Sequence, residues 1–182
     1  MRQIESPLLR LIAAIYFGIK RGYYRLRYPR VRFGRGVSFR GRLEVRGKVR
    51  VTIGDHSRLR QLVQFSGRGT ITVGSNTLLN GCWIGCMESV SVGDDCLISD
   101  CNIVDTDYHN LPPDQRHQPP GPHTTAPITI ERNAWVGARA MVLKGVTIGA
   151  DSVVGAGTVV RESVPPRVVV IGNPQQVVKK FE

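Results

Sequence analysis

Three side chains at alternate positions in a polar stretch, Asp105, Asp107 and His109, are of types that do acid–base chemistry, although a lone His in such a stretch is more often solvated and inert. An imidazole with an ordinary pKa of about 6.5 is mostly neutral near pH 7 and accepts a proton readily. If the chain stays extended to residue 109, both carboxylates lie on the face of the imidazole, because alternate side chains of a strand point the same way. One of them is then placed to hold the ring in a single tautomer, the alternative being that either binds a substrate. His117 and His123 follow in a Pro-rich stretch and read as surface residues. Cys82, Cys86, Cys96 and Cys101 form no C-x-x-C pair, so they read as reduced, buried small side chains and not as metal ligands.

These groups sit where a regular pattern breaks. Ile130, Val136, Val142, Ile148, Val154 and Val160 recur every six residues, and Ala134, Ala140, Val146, Ser152 and Thr158 fall four positions after the first five. Val92, Ile98 and Val104 hold the same spacing upstream, while Phe33-Gly34, Ile53-Gly54, Val73-Gly74 and Val92-Gly93 recur at intervals of 20, 20 and 19. A six-residue unit supplies one short strand and one corner, and three units make an 18-residue triangular coil. Aliphatic residues then stack inward and small residues fit the corners. The longer intervals upstream are coils with one or two extra residues. After Val104 the next sound position is Ile130, so residues 105–127 are extruded from one corner, as functional loops often are.

Ahead of the repeats, Ile4, Leu8, Leu11, Ile12, Ile15 and Ile19 keep helical spacing, which predicts an amphipathic helix over 4–27 that ends before Pro29. Its apolar run Leu11–Ile19 is far shorter than a membrane span, and no small-residue cleavage site follows it. A cytoplasmic protein that keeps its N-terminus is expected. With 41% hydrophobic and 21% charged residues, a wholly disordered chain is excluded. The net charge of +11 is unevenly spread: residues 1–72 hold 17 Lys+Arg against 3 Asp+Glu, whereas residues 73–182 hold 8 against 11. Nucleic acid would suit a basic stripe, yet no recognition motif accompanies it and the chain has only 2 Trp, 5 Tyr and 5 Phe.

The repeats resemble the hexapeptide-repeat acyltransferases. The run Ile103–His109, the loop after it and Pro127–Gly137 are similar to the acceptor-loop signature of sugar and polysaccharide O-acetyltransferases, and more distantly of the galactoside and maltose enzymes. The similarity continues through Val142–Gly149, Val164-Pro165-Pro166 and Gly172-Asn173-Pro174, and it covers residues 73–180 well. It implies an all-β fold, a left-handed parallel β-helix of about six coils over residues 33–165. The full expectation is a basic helix in 1–30, a β-helix domain in 31–165 and a tail in 166–182 with a short C-terminal helix. Homotrimers with active sites between neighbouring coils are also implied.

The resemblance further implies an acetyl-CoA-dependent O-acetyltransferase, without metal, acting on a sugar, polysaccharide or lipid-linked glycan. His109 is the implied general base, with Asp107 or Asp105 as its orienting partner. Trp135, Gly137, Ala138, Ala156, Arg161 and Lys179 are the implied contacts of coenzyme A. Glu162 stands where some relatives carry Lys, and neither Asn80 nor Glu88 registers with the sugar-binding Asn and Asp of the galactoside enzymes. A γ-carbonic-anhydrase-like zinc site would need histidines on the repeats, and none occurs after residue 57 outside the loop. A non-catalytic β-helix binding protein is the remaining alternative. The Arg-rich N-terminal section suggests peripheral association with an anionic membrane, the rival being a helix packed across the trimer.

Overall fold

The computed structural model describes residues 6–182. The helix runs Pro7–Arg27, with Pro in the first turn, where its missing N–H is no loss, and Arg25 and Arg27 in the last, where cations suit the dipole. Tyr28 ends it by donating its N–H to the Tyr24 carbonyl at 2.9 Å. Ile4, in the predicted first turn, lies outside the described residues.

From Val31 the chain circles through three sheets, one strand to each, and stacks every circuit in parallel on the one before. Six circuits are complete, and the strand Val168–Ile171 begins a seventh on the second sheet. The parallel β-helix expected from the repeat is therefore what forms. Phe33 pairs with Ile53, Ile53 with Val73, Val73 with Val92, Val92 with Ile130 and Ile130 with Ile148, so the aliphatic frame is one continuous ladder. Each of these side chains is at least nine-tenths buried. Burial of one such group stabilises by roughly 1.5–3 kcal/mol, and the stack repeats it on all three sides.

The corner between the first and second sheets shows how six residues turn so sharply. His56, Asn76, Asp95, Asn133, Asp151 and Arg167 all take positive φ there, between 54° and 62°. Asn and Asp fill four of the six places because short polar side chains tolerate the left-handed region. Each donates its N–H to the coil before it, as Asn133 does to the Asp94 carbonyl at 2.8 Å.

The helix covers the first coil. Tyr24 is buried on the first coil, its ring 5.0 Å from that of Phe39, and its hydroxyl accepts the Leu43 N–H at 3.1 Å. At the other end no C-terminal helix forms. Gln176–Lys180 is instead an exposed strand, antiparallel to Val168–Ile171. The β-branched Val168, Val169, Val170, Val177 and Val178 suit a strand, and the last coil offers an open edge to pair with.

Candidate active site

The extruded loop leaves the third sheet after Asn102–Val104 and enters the first at Ile128–Ile130. Its two arms are zipped at the base: Thr106 bridges Thr125, Asp107 donates its N–H to the Thr124 carbonyl at 2.8 Å, and Ala126 donates to the Asp105 carbonyl at 3.0 Å. Asn110 staples the tip. Its Oδ1 accepts the Gly121 N–H at 2.9 Å, and its Nδ2 reaches the carbonyls of Gln115 and Pro119 at 2.9 and 3.1 Å.

The two carboxylates do not serve His109 as the extended reading expected. The strand stops at Val104, and Tyr108 turns the chain with φ +62°. Asp105 is fully buried, and its two oxygens accept the N–H groups of Met87 and Glu88 at 2.7 and 2.8 Å. It clamps the corner of the preceding coil. Asp107 is paired with Lys144 at 2.6 Å, and the same ammonium donates to the His123 carbonyl at 2.6 Å. Neither carboxylate hydrogen-bonds His109, which is exposed and has no hydrogen-bond partner among the described residues. The imidazole is thus presented bare, on a loop whose base is hydrogen-bonded across its two arms.

The Tyr108 hydroxyl lies over Gly85, where a Cβ would collide with it, and the Trp83 ring borders the same glycine. Trp83 Nε1 donates to Ser66 Oγ at 3.0 Å. Burial, then the nearby Asp105 charge, raises the Tyr108 phenol above its ordinary value. The four cysteines are free and buried. Burial pushes the Cys86 and Cys101 thiols up to about 12, assisted by Asp105 and Asp100 respectively, so neither is a ready nucleophile.

The residues assigned to coenzyme A fall into two groups. Gly137, Ala138 and Ala156 share the corner between the second and third sheets, one coil apart, where Gly157 donates to the Ala138 carbonyl at 2.9 Å. A Cβ at Gly137 would stand 3.0 Å from the Ala156 nitrogen, so this corner packs backbone to backbone. Ala138 and Ala156 are exposed, leaving a shallow surface against which a slender chain can lie. Trp135, 49% exposed, stands on the second sheet next to that corner. Arg161 and Lys179 are not brought together. The Arg161 N–H donates to Gln175 Oε1 at 2.8 Å on the last corner, whereas Lys179 pairs with Val169 on the second sheet and lies over the Phe181 ring.

Reading by sequence overlooked Lys144, Asn110, Trp83 and Tyr108. For Lys144 a signal existed. Asn102 pairs with Met141 and Ile103 with Val142, so counting on two places brings Lys144 over Asp105 and beside Asp107. Among the described residues, no group of three or more His, Cys, Asp or Glu could hold a metal ion.

The family model described as bacterial transferase hexapeptide (six repeats) matches residues 127–162. The chain is 33% identical to the galactoside O-acetyltransferase of Escherichia coli (strain K12) over 131 residues, which are 71% of this chain and 64% of that protein. It thus spans slightly under two thirds of that relative's length. The same fold occurs in a Bacillus cereus N-acyltransferase solved with dTDP-4-amino-4,6-dideoxyglucose and coenzyme A, at TM-score 0.72 and 19% identity, covering 88% of this chain and 89% of that one. It occurs again in a hexapeptide-repeat-containing acetyltransferase of Vibrio cholerae solved with acetyl-coenzyme A, at TM-score 0.62 and 21% identity over 100% and 93% of the two chains. The resemblance to the hexapeptide-repeat acyltransferases, drawn above from the repeat and the loop signature, is borne out.

Proposed function

We propose that this protein is an acyl-CoA-dependent O-acetyltransferase that moves acetyl from acetyl-CoA to a hydroxyl of a sugar, polysaccharide or lipid-linked glycan. The observation that carries the reading is the bare imidazole of His109 on a loop fastened at its base by Asp105 and Lys144 and at its tip by Asn110. His109 takes the proton of the acceptor hydroxyl as its oxygen attacks the thioester carbonyl. The tetrahedral intermediate then expels the coenzyme A thiolate, which leaves with the proton held by the imidazole. The carbon–oxygen bond forms in the attack and the carbon–sulfur bond breaks when the intermediate collapses, so no oxidant is needed.

The exposed small corner of Ala138 and Ala156 suits the pantetheine arm, with Trp135 beside it. Tyr108, one residue from the base, and Trp83, which borders the same Gly85, offer aromatic surface to the apolar face of a sugar ring. A homotrimer, whose neighbouring copy would face the loop, and a cytoplasmic location complete the proposal. The similarity to galactoside O-acetyltransferase supports the reaction class. The test is thiol release from acetyl-CoA with nucleotide sugars, free glycans and lipid-linked sugars in turn. Acceptor-dependent release that is lost in His109→Ala is expected. A loss of less than about tenfold would contradict a general base, which typically contributes 10²–10⁴-fold.

A further inference from the structure

The helix Pro7–Arg27 lies on the first coil the opposite way round from an ordinary surface helix, which turns its apolar stripe to the core. The side toward the coil is polar and aromatic. Lys20 Nζ donates to the Phe39 carbonyl, Tyr24 accepts the Leu43 N–H, and Tyr28 donates to the Leu43 carbonyl. Leu8, Ile12, Ile15, Ile19, Tyr23 and Leu26, three or four residues apart on the far side, are 52% to 88% exposed. The stripe contains no charge, and Lys20, Arg21, Arg25 and Arg27 flank it. No described helix is long and apolar enough to cross a membrane.

Around this stripe the first coil is cationic. Arg27, Arg30, Arg32, Arg40, Arg42 and Lys48 form no ion pair among the described residues. A recess of 440 Å³ beside the helix is lined by Tyr23, Arg27, Arg42, Glu44 and Arg46 and has room for a phosphate headgroup. Charge decides which partner covers the stripe. A second copy pairing stripe with stripe would bring another section with 17 Lys+Arg and 3 Asp+Glu against this one. An anionic lipid surface neutralises it instead. We propose that the helix lies in the interface of an anionic bilayer, its stripe among the acyl chains and its flanking arginines among the headgroups. This docking stands independently of the transferase reading.

The test uses the full chain and vesicles of phosphatidylcholine, alone or with phosphatidylglycerol at about one lipid in three. Cosedimentation with the anionic vesicles is expected to be at least about tenfold tighter and to weaken as salt shortens the Debye length. Ile12→Glu with Ile15→Glu abolishes it without lowering Tm, and Arg27→Glu with Arg42→Glu weakens it. If the first pair unfolds the helix by circular dichroism, Ile12→Gln with Ile15→Gln serves the same test. Three results overturn the proposal. They are no binding to anionic vesicles at low salt, binding that ignores the Ile12 and Ile15 changes and so marks a mere polycation, and an oligomer that those changes dissociate.

Discussion

The early coils and the late ones share one ladder and differ in almost everything outside it. On the third sheet, Arg42–Gly47 and Leu62–Gly67 are six residues long, while Met141–Val142 and Val159–Val160 are two. From the third sheet to the first, the core takes eight steps from Val45 to Ile53, Phe65 to Val73 and Ile84 to Val92, but six from Val142 to Ile148. The same corner in the fourth coil takes the whole loop, from Ile103 to Ile130. Insertions thus gather at one corner, and charge varies on the outer positions, because only the inward positions must stack. The basic early coils and the loop-bearing later ones can diverge in role without disturbing their common core.

The separation can be broken in order of expected effect. His109→Ala should lower turnover by about 10²–10⁴-fold with Tm unchanged, because the exposed ring supports nothing in the fold. Alkylation of Cys86 and Cys101 in the native protein at pH 8 should run about 10³-fold slower than in the unfolded chain. Burial holds both thiols near 12, so almost no thiolate is present until the coils open. Asp105→Ala should cost about 3 kcal/mol by denaturant unfolding, since two N–H groups at a buried corner lose a charged acceptor. Lys144→Met should cost about 1 kcal/mol or less, as its ion pair is partly solvated, yet it should speed proteolysis within residues 105–127.

The smallest effect belongs to the early coils. The Arg35 backbone N–H bonds Asp55 and holds its carboxyl below the usual range. A depressed folded pKa stabilises fully above the unfolded value of about 3.9 and fades as pH falls through the folded one. Asp55→Asn should therefore flatten the acid side of the stability–pH curve slightly and leave neutral stability nearly unchanged. A shift at neutral pH as large as that of Asp105→Ala would show that the two regions are not so different.

Much of this was legible because the repeat is local arithmetic. A period of six places the inward residues, the intervals of 20, 20 and 19 reappear as coil lengths, and the gap after Val104 is the loop. The helix was legible from its spacing and from Pro29. Errors arose where partners distant in sequence compete for a group. Asp105 alternates with His109 in the sequence, but two N–H groups at residues 87 and 88 claim it, and Lys144 claims Asp107. The C-terminal segment was misread as helix because only the finished solenoid offers the edge on which Gln176–Lys180 is built.

The sequence by itself determined the ladder, its corners and the point where the chain leaves it, since each follows from residue size and backbone preference repeated at a fixed period. Tertiary structure alone decided which charges are occupied and which are offered. It buried Asp105, paired Asp107, left His109 bare and turned the apolar stripe of the helix outward. Those outcomes depend on which groups two or more coils bring within hydrogen-bond reach, and no local pattern carries that information.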